Sequence, residues 1–196
     1  FLRRQRVDTV LIEYGSLAAQ VVPLIRHLPV SIHVHFHGYD ATRHPRQKGV
    51  RDAYAQMFRD VDGVIAPSGF IADKVIALGA RPCAVTVCPC GVAIDHFTPS
   101  RLRPGRCLAV GRFVEKKAPL VTLAAFAEAR DAKPDLTLDF VGAGPLLGDA
   151  KAYVARRGLE DAITFHGALD HDAVRPLFRE ASAFLQHSVT AADGDS

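Results

Sequence analysis

The sequence predicts an α/β fold made of two Rossmann-like units, each a parallel sheet flanked by helices. Short apolar and β-branched runs alternate with helical patterns along the chain. One stretch without periodicity, residues 89–105, is rich in proline and glycine and divides this alternation in two, as a linker does. With 196 residues, 48% of them hydrophobic, the chain can bury two small cores. We place the domains at 1–98 and 99–196.

In the first unit, the elements follow from apolar runs, capping residues and turn formers. Ser16 and Ser68 are candidate N-caps, and Gly79 is expected to end the helix that Ser68 begins. A polar loop through Pro45 is expected after the second strand. The predicted strands are 7–14, 31–36, 63–66 and 84–88, and the predicted helices are 17–27, 47–60 and 69–78.

The same alternation resumes after the linker. Leu120, Leu123 and Ala127 share one face of the first helix there, and Gly158 is expected to stop the second. The predicted strands are 106–111, 135–141, 162–166 and 182–187, and the predicted helices are 118–130, 146–157 and 172–180.

Both units are interpreted as incomplete. Residue 1 falls just before a strand-like run, and the loop-like residues at the other end directly follow an apolar strand pattern. A complete α/β domain normally covers such a strand with a helix. Two facing units of this kind bring both sets of strand carboxyl ends to one cleft, where such sheets bind ligands.

Arg112 and Lys117 form the first candidate site. An apolar run ends at Gly111, Arg112 follows at once, and Lys117 precedes the next helix. The planar fork of an arginine bonds two oxygens of an anion together, and a helix N-terminus also favours negative charge. These residues predict a phosphate or diphosphate site, although the spacing alone is equally typical of solvated loop cations.

The histidines of the second strand form a second candidate site. His33, His35 and His37 alternate, so they are expected on one face, and three imidazoles raise the question of a metal. The later histidines have no matching pattern, so we expect no metal, and packing accounts for His33 and His35. His37 ends the strand beside Gly38, where it can bond a substrate hydroxyl, with Asp40 either orienting it or bonding a second hydroxyl.

The turn at residues 142–145 resembles part of a dinucleotide fingerprint. Gly142 and Gly144 fit, but Leu147 stands where the third glycine belongs, so the Rossmann fingerprint fails. A glycine turn leading into a helix remains, which either lies against a ligand or is an ordinary tight connection.

Composition excludes several other classes of protein. The net charge of +3, without a basic run interleaved with aromatics, gives no reason to expect nucleic acid. No apolar run approaches the roughly 20 residues that span a bilayer, and the chain does not begin with a signal peptide. The four cysteines include only one C-x-C pair, which is weak evidence for zinc, so they are interpreted as small buried residues of a reducing compartment.

The order of six motifs then suggests a family. They are VHFHGYD (34–40), VIAPS (64–68), VCPCGVAIDHF (87–97), VGRFVEKK (110–117), FVGAGPL (140–146) and ITFHG (163–167). In order and spacing they resemble the retaining glycosyltransferases of family four (glycosyl transferases group 1), which have the GT-B fold of two facing Rossmann-like domains. The resemblance covers the chain from about residue 30 onward.

The resemblance implies site residues. The nucleotide-sugar donor is expected on the C-terminal domain, with Arg112 and Lys117 gripping its diphosphate, and the acceptor on the N-terminal one. His37 matches the histidine beside the transferred sugar, with Gly38 and Asp40 adjoining it. Gly142, Gly144 and His166 match loops near the nucleotide.

The resemblance also implies chemistry and partners. The expected reaction is metal-independent, cofactor-free, front-face hexosyl transfer with retention, in polysaccharide or glycolipid biosynthesis. The acceptor is a saccharide or a lipid-linked saccharide, and the location is the cytoplasm, with peripheral contact at the inner membrane face left open. The family's acidic motif is expected after Ser196, so this chain alone is expected to be inactive. The alternatives are a non-catalytic nucleotide- or sugar-binding module, or another GT-B enzyme such as a phosphorylase.

Overall fold

The computed structural model describes residues 5–94 and 100–193. They form two compact units, the first running to Val92 and the second spanning Ala93–Ala191, while Ala192 and Asp193 group with the first. Each unit contains a four-stranded parallel sheet with helices between its strands, which confirms the predicted α/β fold. Within these ranges, no helix is long and apolar enough to span a membrane.

The first unit has the strand order β1-β2-β3-β4. Its strands are β1 (Thr9–Glu13), β2 (Ser31–His35), β3 (Gly63–Ala66) and β4 (Val85–Val87), and its helices are α1 (Gly15–Ile25), α2 (Gly38–Thr42), α3 (Val50–Asp60) and α4 (Gly69–Ala77). Alternate residues of β2 enter the core, where the Phe36 ring lies 5.5 Å from Tyr54 and 5.7 Å from Phe58, both on α3. Burying such aromatic side chains is the main stabilising contribution in a unit of this size.

Two local predictions for the first unit hold. Ser68 caps α4 by accepting a hydrogen bond from the backbone N–H of Ile71 at 3.3 Å. Gly79 follows that helix with a φ of 111°, and Ala80 N donates to Val75 O at 3.0 Å, which closes the helix end.

Two other local predictions are wrong. Ser16 does not cap α1, because the helix already begins at Gly15, after Tyr14 at a φ of 71°. Gly15 is required there, since a Cβ would lie 2.3 Å from the Phe36 ring. The segment expected as a polar loop is also helical, with α2 followed by a 3-10 turn at His44–Arg46.

The second unit has the strand order β7-β6-β5-β8. Its strands are β5 (Arg103–Val110), β6 (Thr137–Val141), β7 (Ile163–Gly167) and β8 (Ala181–Phe184), and its helices are α5 (Pro119–Ala132), α6 (Leu147–Arg157) and α7 (His171–Glu180). Phe113, Phe126 and Phe140 lie in its core. Because β5 lies between β6 and β8, whatever follows Val110 emerges in the interior of the carboxyl edge of the sheet.

The linker predicted at 89–105 extends too far. Strand β5 begins at Arg103, and it includes Pro104 and Gly105. Gly105 has a φ of 80°, and the pairing with β8 shifts register between Arg103 and Cys107, so the punctuating residues mark a bulge at the start of a strand. Residues 95–99 of the predicted linker lie outside the described residues.

The cysteines also differ from the expectation. Cys107 is buried, but Cys83, Cys88 and Cys90 are exposed, and all four are free thiols. The prediction of small buried residues therefore holds for Cys107 alone.

Candidate functional site

Arg112 lies in the connection between β5 and α5, and hydrogen bonds anchor the backbone on both sides of it. Gly111 N donates to Val141 O at 3.0 Å, and Phe113 N donates to Ala143 O at 2.9 Å. The Phe113 side chain is fully buried and packs 4.5 Å from the Phe140 ring. The Arg112 side chain itself is exposed, so it extends from a rigid base toward solvent.

Gly142 and Gly144 allow this anchoring. Their φ values are 141° and 154°, and a Cβ would lie 1.9 Å from Gly111 O at the first position and 2.5 Å from Phe113 O at the second. No side chain fits between the two connections. These glycines therefore bring the loop after β6 against the backbone that carries Arg112, and their contact with a nucleotide stays a prediction.

Lys117 lies close to Arg112. It ends a 3-10 turn, Glu115–Lys117. Its side chain lies over Gly111, because Lys117 Cγ would be 4.0 Å from a Cβ built on that glycine. Arg112 and Lys117 line one groove at the carboxyl end of β5. The structure thus brings together the two cations, called the cation pair below, that are five residues apart in the sequence.

The segment after β8 supplies two residues that the sequence analysis did not single out. Gln186 and His187 line the same groove as the cation pair. Val189 N donates to Lys116 O at 2.9 Å, which fixes this segment beside the turn that carries Lys117. Strand β8 pairs with β5 in parallel, so the carboxyl ends of the two strands lie side by side. The sequence around His187 contains no motif that predicts this pairing, which is why His187 was not assigned to the groove.

His166 belongs to a polar network on β5, β6 and β7. Its Nε2 lies 2.6 Å from Asp139 Oδ1, while Asp139 Oδ2 accepts a hydrogen bond from Arg106 Nε at 2.6 Å. Burial pushes the pKa of Asp139 upward, but the hydrogen bonds from Arg106 and His166 outweigh it and hold the pKa below its usual value. Asp139 therefore orients the imidazole, and the contact of His166 with a nucleotide stays a prediction.

In the first unit, His37 lies beside a carboxylate that the sequence analysis missed. Glu13 Oε2 is 2.8 Å from His37 Nε2 and 3.2 Å from His35 Nδ1, and the two imidazole centroids are 4.4 Å apart. The hydrogen bond from His37 is the main cause of a lowered pKa at Glu13. The parallel register sets Glu13 opposite His35, a relation between strands that no local motif reports.

The set of three histidines considered from the spacing does not form. His33 Nε2 lies 3.1 Å from Ser31 Oγ. In the described part of the chain, the one group of three side chains placed to hold a metal ion is Glu13, His35 and His37.

Asp40 is fully buried, and its carboxylate binds backbone rather than solvent. His37 N donates to Oδ1 at 2.7 Å and Gly15 N donates to Oδ2 at 2.6 Å. Burial raises the pKa of Asp40 against these hydrogen bonds. Of the two roles considered, this geometry favours the orienting one, since Asp40 fixes the backbone of His37 where Gly38 begins α2.

Comparison with known families agrees with this architecture. The sequence profile of Glycosyltransferase Family 4 matches residues 1–96, and that of Glycosyl transferases group 1 matches residues 95–194. The chain belongs to the glycosyl transferases group 1 family. This membership confirms the glycosyltransferase family that the six motifs indicated, while the retaining mechanism stays a prediction.

Curated relatives of the chain include proteins named for colanic acid and amylovoran biosynthesis. The chain is 26% identical over 197 residues to the putative colanic acid biosynthesis glycosyltransferase WcaL of Escherichia coli (strain K12), covering 97% of this chain and 48% of that protein. It is 28% identical over 165 residues to the amylovoran biosynthesis glycosyltransferase AmsK of Erwinia amylovora, covering 82% and 40%. The chain thus spans about half the length of the curated relatives it matches.

Solved structures share the fold. The crystal structure of Anabaena Alr3699/HepE in complex with UDP matches with a TM-score of 0.78 at 17% identity, covering 94% of this chain and 54% of that one. The pneumococcal O-GlcNAc transferase GtfA, in complex with UDP and GlcNAc, matches with a TM-score of 0.72 at 18% identity, covering 96% and 39%. At these identities the likeness supports the fold, and the two parallel sheets agree with the predicted GT-B class.

Proposed function

We propose that this glycosyl transferases group 1 protein moves a hexosyl group from a nucleotide-sugar donor to a saccharide or lipid-linked acceptor, with retention, in the synthesis of a polysaccharide or glycolipid. The observation that carries the proposal is the cation pair, Arg112 and Lys117, in one groove at the carboxyl end of β5. Relatives named for colanic acid and amylovoran synthesis support the class of product.

The groove suits a diphosphate. Arg112 offers a planar fork of donors from an anchored backbone, and Lys117 adds a second, more mobile positive charge. In the described part of the chain, Gln186 and His187 add hydrogen-bonding groups to the same lining, and apolar side chains such as Phe140 and Leu185 border it. Two of the matched structures contain UDP, which agrees with a donor of this kind.

The proposed chemistry is charge stabilisation at the leaving group. As the bond between the sugar and the phosphate lengthens, the ring acquires oxocarbenium character and negative charge grows on the diphosphate. The cation pair stabilises that charge directly, so the transfer step needs no divalent ion. In a front-face transfer with retention, a leaving-group oxygen accepts the proton of the acceptor hydroxyl.

His37 is the proposed contact for the transferred sugar. Its backbone is fixed by Asp40, and its imidazole is held by Glu13 at 2.8 Å, so the ring has a defined orientation before any ligand arrives. Such preorganisation lowers the cost of placing a hydroxyl against the ring.

The test is turnover of a panel of nucleotide sugars by the whole protein. The proposal predicts release of nucleoside diphosphate and, by NMR of the product, the same anomeric configuration as in the donor. Binding of nucleoside diphosphates without turnover of any donor and acceptor in the panel would favour the non-catalytic binding module instead.

A further inference from the structure

A short basic segment, residues 43–51, follows α2 in the first unit. It contains no acidic residue and four exposed cations: Arg43, Arg46, Lys48 and Arg51. We propose that this segment binds the oxyanion groups, carboxylate or phosphate, of an acidic saccharide acceptor, next to the sugar that His37 contacts. The inference rests on the proposed function, because it assigns a chemical class to the acceptor of that reaction.

Positive charge in this chain is concentrated in the basic segment. The whole chain has a net charge of only +3, so the residues outside the segment carry a slight excess of negative charge. Arg43 pairs with Asp193 at 3.0 Å. Within the residues that the structure describes, the other three cations make no ion pair. Uncompensated cations that are so close in the chain repel one another, and a bound oxyanion would relieve that repulsion.

The kind and position of these cations suit an oxyanion. Lys48 directly precedes Gly49, the N-cap of α3, and Arg51 lies in the first turn of that helix. No side chain caps the helix, so backbone N–H groups of its first turn are left for solvent or a ligand, and Asp52 is the acidic residue of that turn. A helix N-terminus favours negative charge, and the arginine fork bonds two oxygens of one anion. Backbone and side chains therefore favour the same kind of ligand.

Helix α2 places the basic segment close to His37. With a rise of 1.5 Å per residue, α2 carries the chain roughly 9 Å from His37 to Arg43. The segment is then fixed against α3, because Pro45 is buried and His44 Nδ1 lies 2.9 Å from Tyr54 Oη. An oligosaccharide whose end lies at His37 can therefore extend along cations that are held in place before it binds.

The polar surface of the segment favours a saccharide over a membrane. No large apolar side chain is exposed within residues 43–51, all of which the structure describes. The exposed ring of Tyr39 lies on α2, with the Arg43 guanidinium 5.9 Å from its centre. Helices that lie on a membrane surface insert an apolar face beneath the headgroups in addition to their basic residues. The basic segment offers charge and hydrogen-bond donors without such a face.

The experiment is calorimetric titration of the whole protein with two anionic probes, tetragalacturonate and glucose 6-phosphate. Their neutral counterparts are the methyl ester of the first and glucose. A triple variant, Arg46→Gln/Lys48→Gln/Arg51→Gln, removes the three unpaired cations. A control variant makes the same change of net charge at three exposed cations of the second unit: Lys133→Gln, Lys151→Gln and Arg156→Gln. Circular dichroism and Tm establish that both variants are folded, and titration with UDP reports separately on the donor groove.

The proposal predicts saturable binding of at least one anionic probe, and the probe that binds identifies the group as a carboxylate or a phosphate. Its neutral counterpart should bind at least about 10-fold more weakly. The triple variant should weaken binding of the anion by about 10-fold, the product of three exposed ion pairs that each contribute roughly twofold. The control variant should bind as the unsubstituted protein does, and UDP binding should be the same in all three proteins.

Several results would overturn the inference. They are the absence of saturable binding of both anionic probes, equal binding of an anion and its neutral counterpart, and equal weakening by the triple and control variants. Binding to phosphatidylglycerol vesicles through the same three cations, without binding of either anionic probe, would assign the segment to a membrane surface instead. A protein that binds UDP but neither anionic probe contradicts this inference alone, whereas one that binds an anionic probe but not UDP contradicts the proposed donor groove.

Discussion

Replacing Arg112 tests the proposed charge stabilisation. In Arg112→Ala the groove keeps its backbone, because the hydrogen bonds of Gly111 and Phe113 do not involve the Arg112 side chain. The fold should therefore be unaffected, and the loss should fall on the chemical step. Two unit charges about 4 Å apart interact by about 4 kcal/mol at the effective dielectric of a protein surface.

The expected fall in kcat depends on how much stronger this charge interaction is in the transition state than in the bound donor. If roughly half a unit of charge develops on the diphosphate, the differential stabilisation is about 2 kcal/mol, or roughly 30-fold in rate. Losing a fork of two hydrogen bonds adds to this, so we expect kcat to fall by about 10²-fold, the lower end of the range for one oxyanion donor. Arg112→Lys keeps the positive charge but lacks the planar fork. Its kcat should therefore lie between that of the unsubstituted protein and that of Arg112→Ala.

The assay is initial-rate kinetics of the whole protein with a nucleotide sugar that it turns over. Arg156→Ala is the matched control, since Arg156 is an exposed arginine of the same unit in the last turn of α6. Equal kcat for Arg112→Ala, Arg156→Ala and the parent would refute the role given to Arg112. An effect on KM alone would mean that Arg112 binds the donor without acting in the transition state.

Three further outcomes follow from the structure. Gly144→Ala should lower the free energy of unfolding by more than about 1 kcal/mol and reduce activity, because the new Cβ would lie 2.5 Å from Phe113 O. Gly148→Ala is the control and should cause no such loss, since there is open space around Gly148. Denaturant unfolding measures the stability of both variants. Asp40→Asn should replace one of the two oxygens that accept from Gly15 N and His37 N with an NH₂ group, leaving one backbone N–H without its acceptor, and cost about 1–3 kcal/mol in the same assay. Asp139 has a lowered pKa, so the stability it contributes is present above its unfolded pKa of about 3.9 and is lost as pH falls through the lower folded value; Asp139→Asn should lack that part of the acid dependence.

Local patterns in the sequence located Arg112 and the glycine turn at the ends of strands, and their contacts with a ligand stay a prediction. Arg112 follows an apolar run that ends at Gly111, and such a run is visible in the sequence itself. Gly142 and Gly144 also stand out locally, although the reason for them, their approach to Gly111 and Phe113, appears only in three dimensions.

What the sequence could not predict depends on contacts between distant segments. Helix α2 was missed because Asp40, which lies within it, is held by Gly15, 25 residues away. Glu13 was missed because its relation to His35 and His37 arises from the register of two strands. His187 was not assigned to the groove because the neighbour of β5 is β8, and the sheet order is not encoded in any single motif.

The most direct test of the proposed function is a crystal structure of the whole protein with a nucleoside diphosphate. The proposal predicts the diphosphate in the groove at the carboxyl end of β5, with its oxygens within hydrogen-bond distance of the Arg112 guanidinium and the Lys117 ammonium. A diphosphate bound elsewhere, with both cations in solvent, would contradict the proposal.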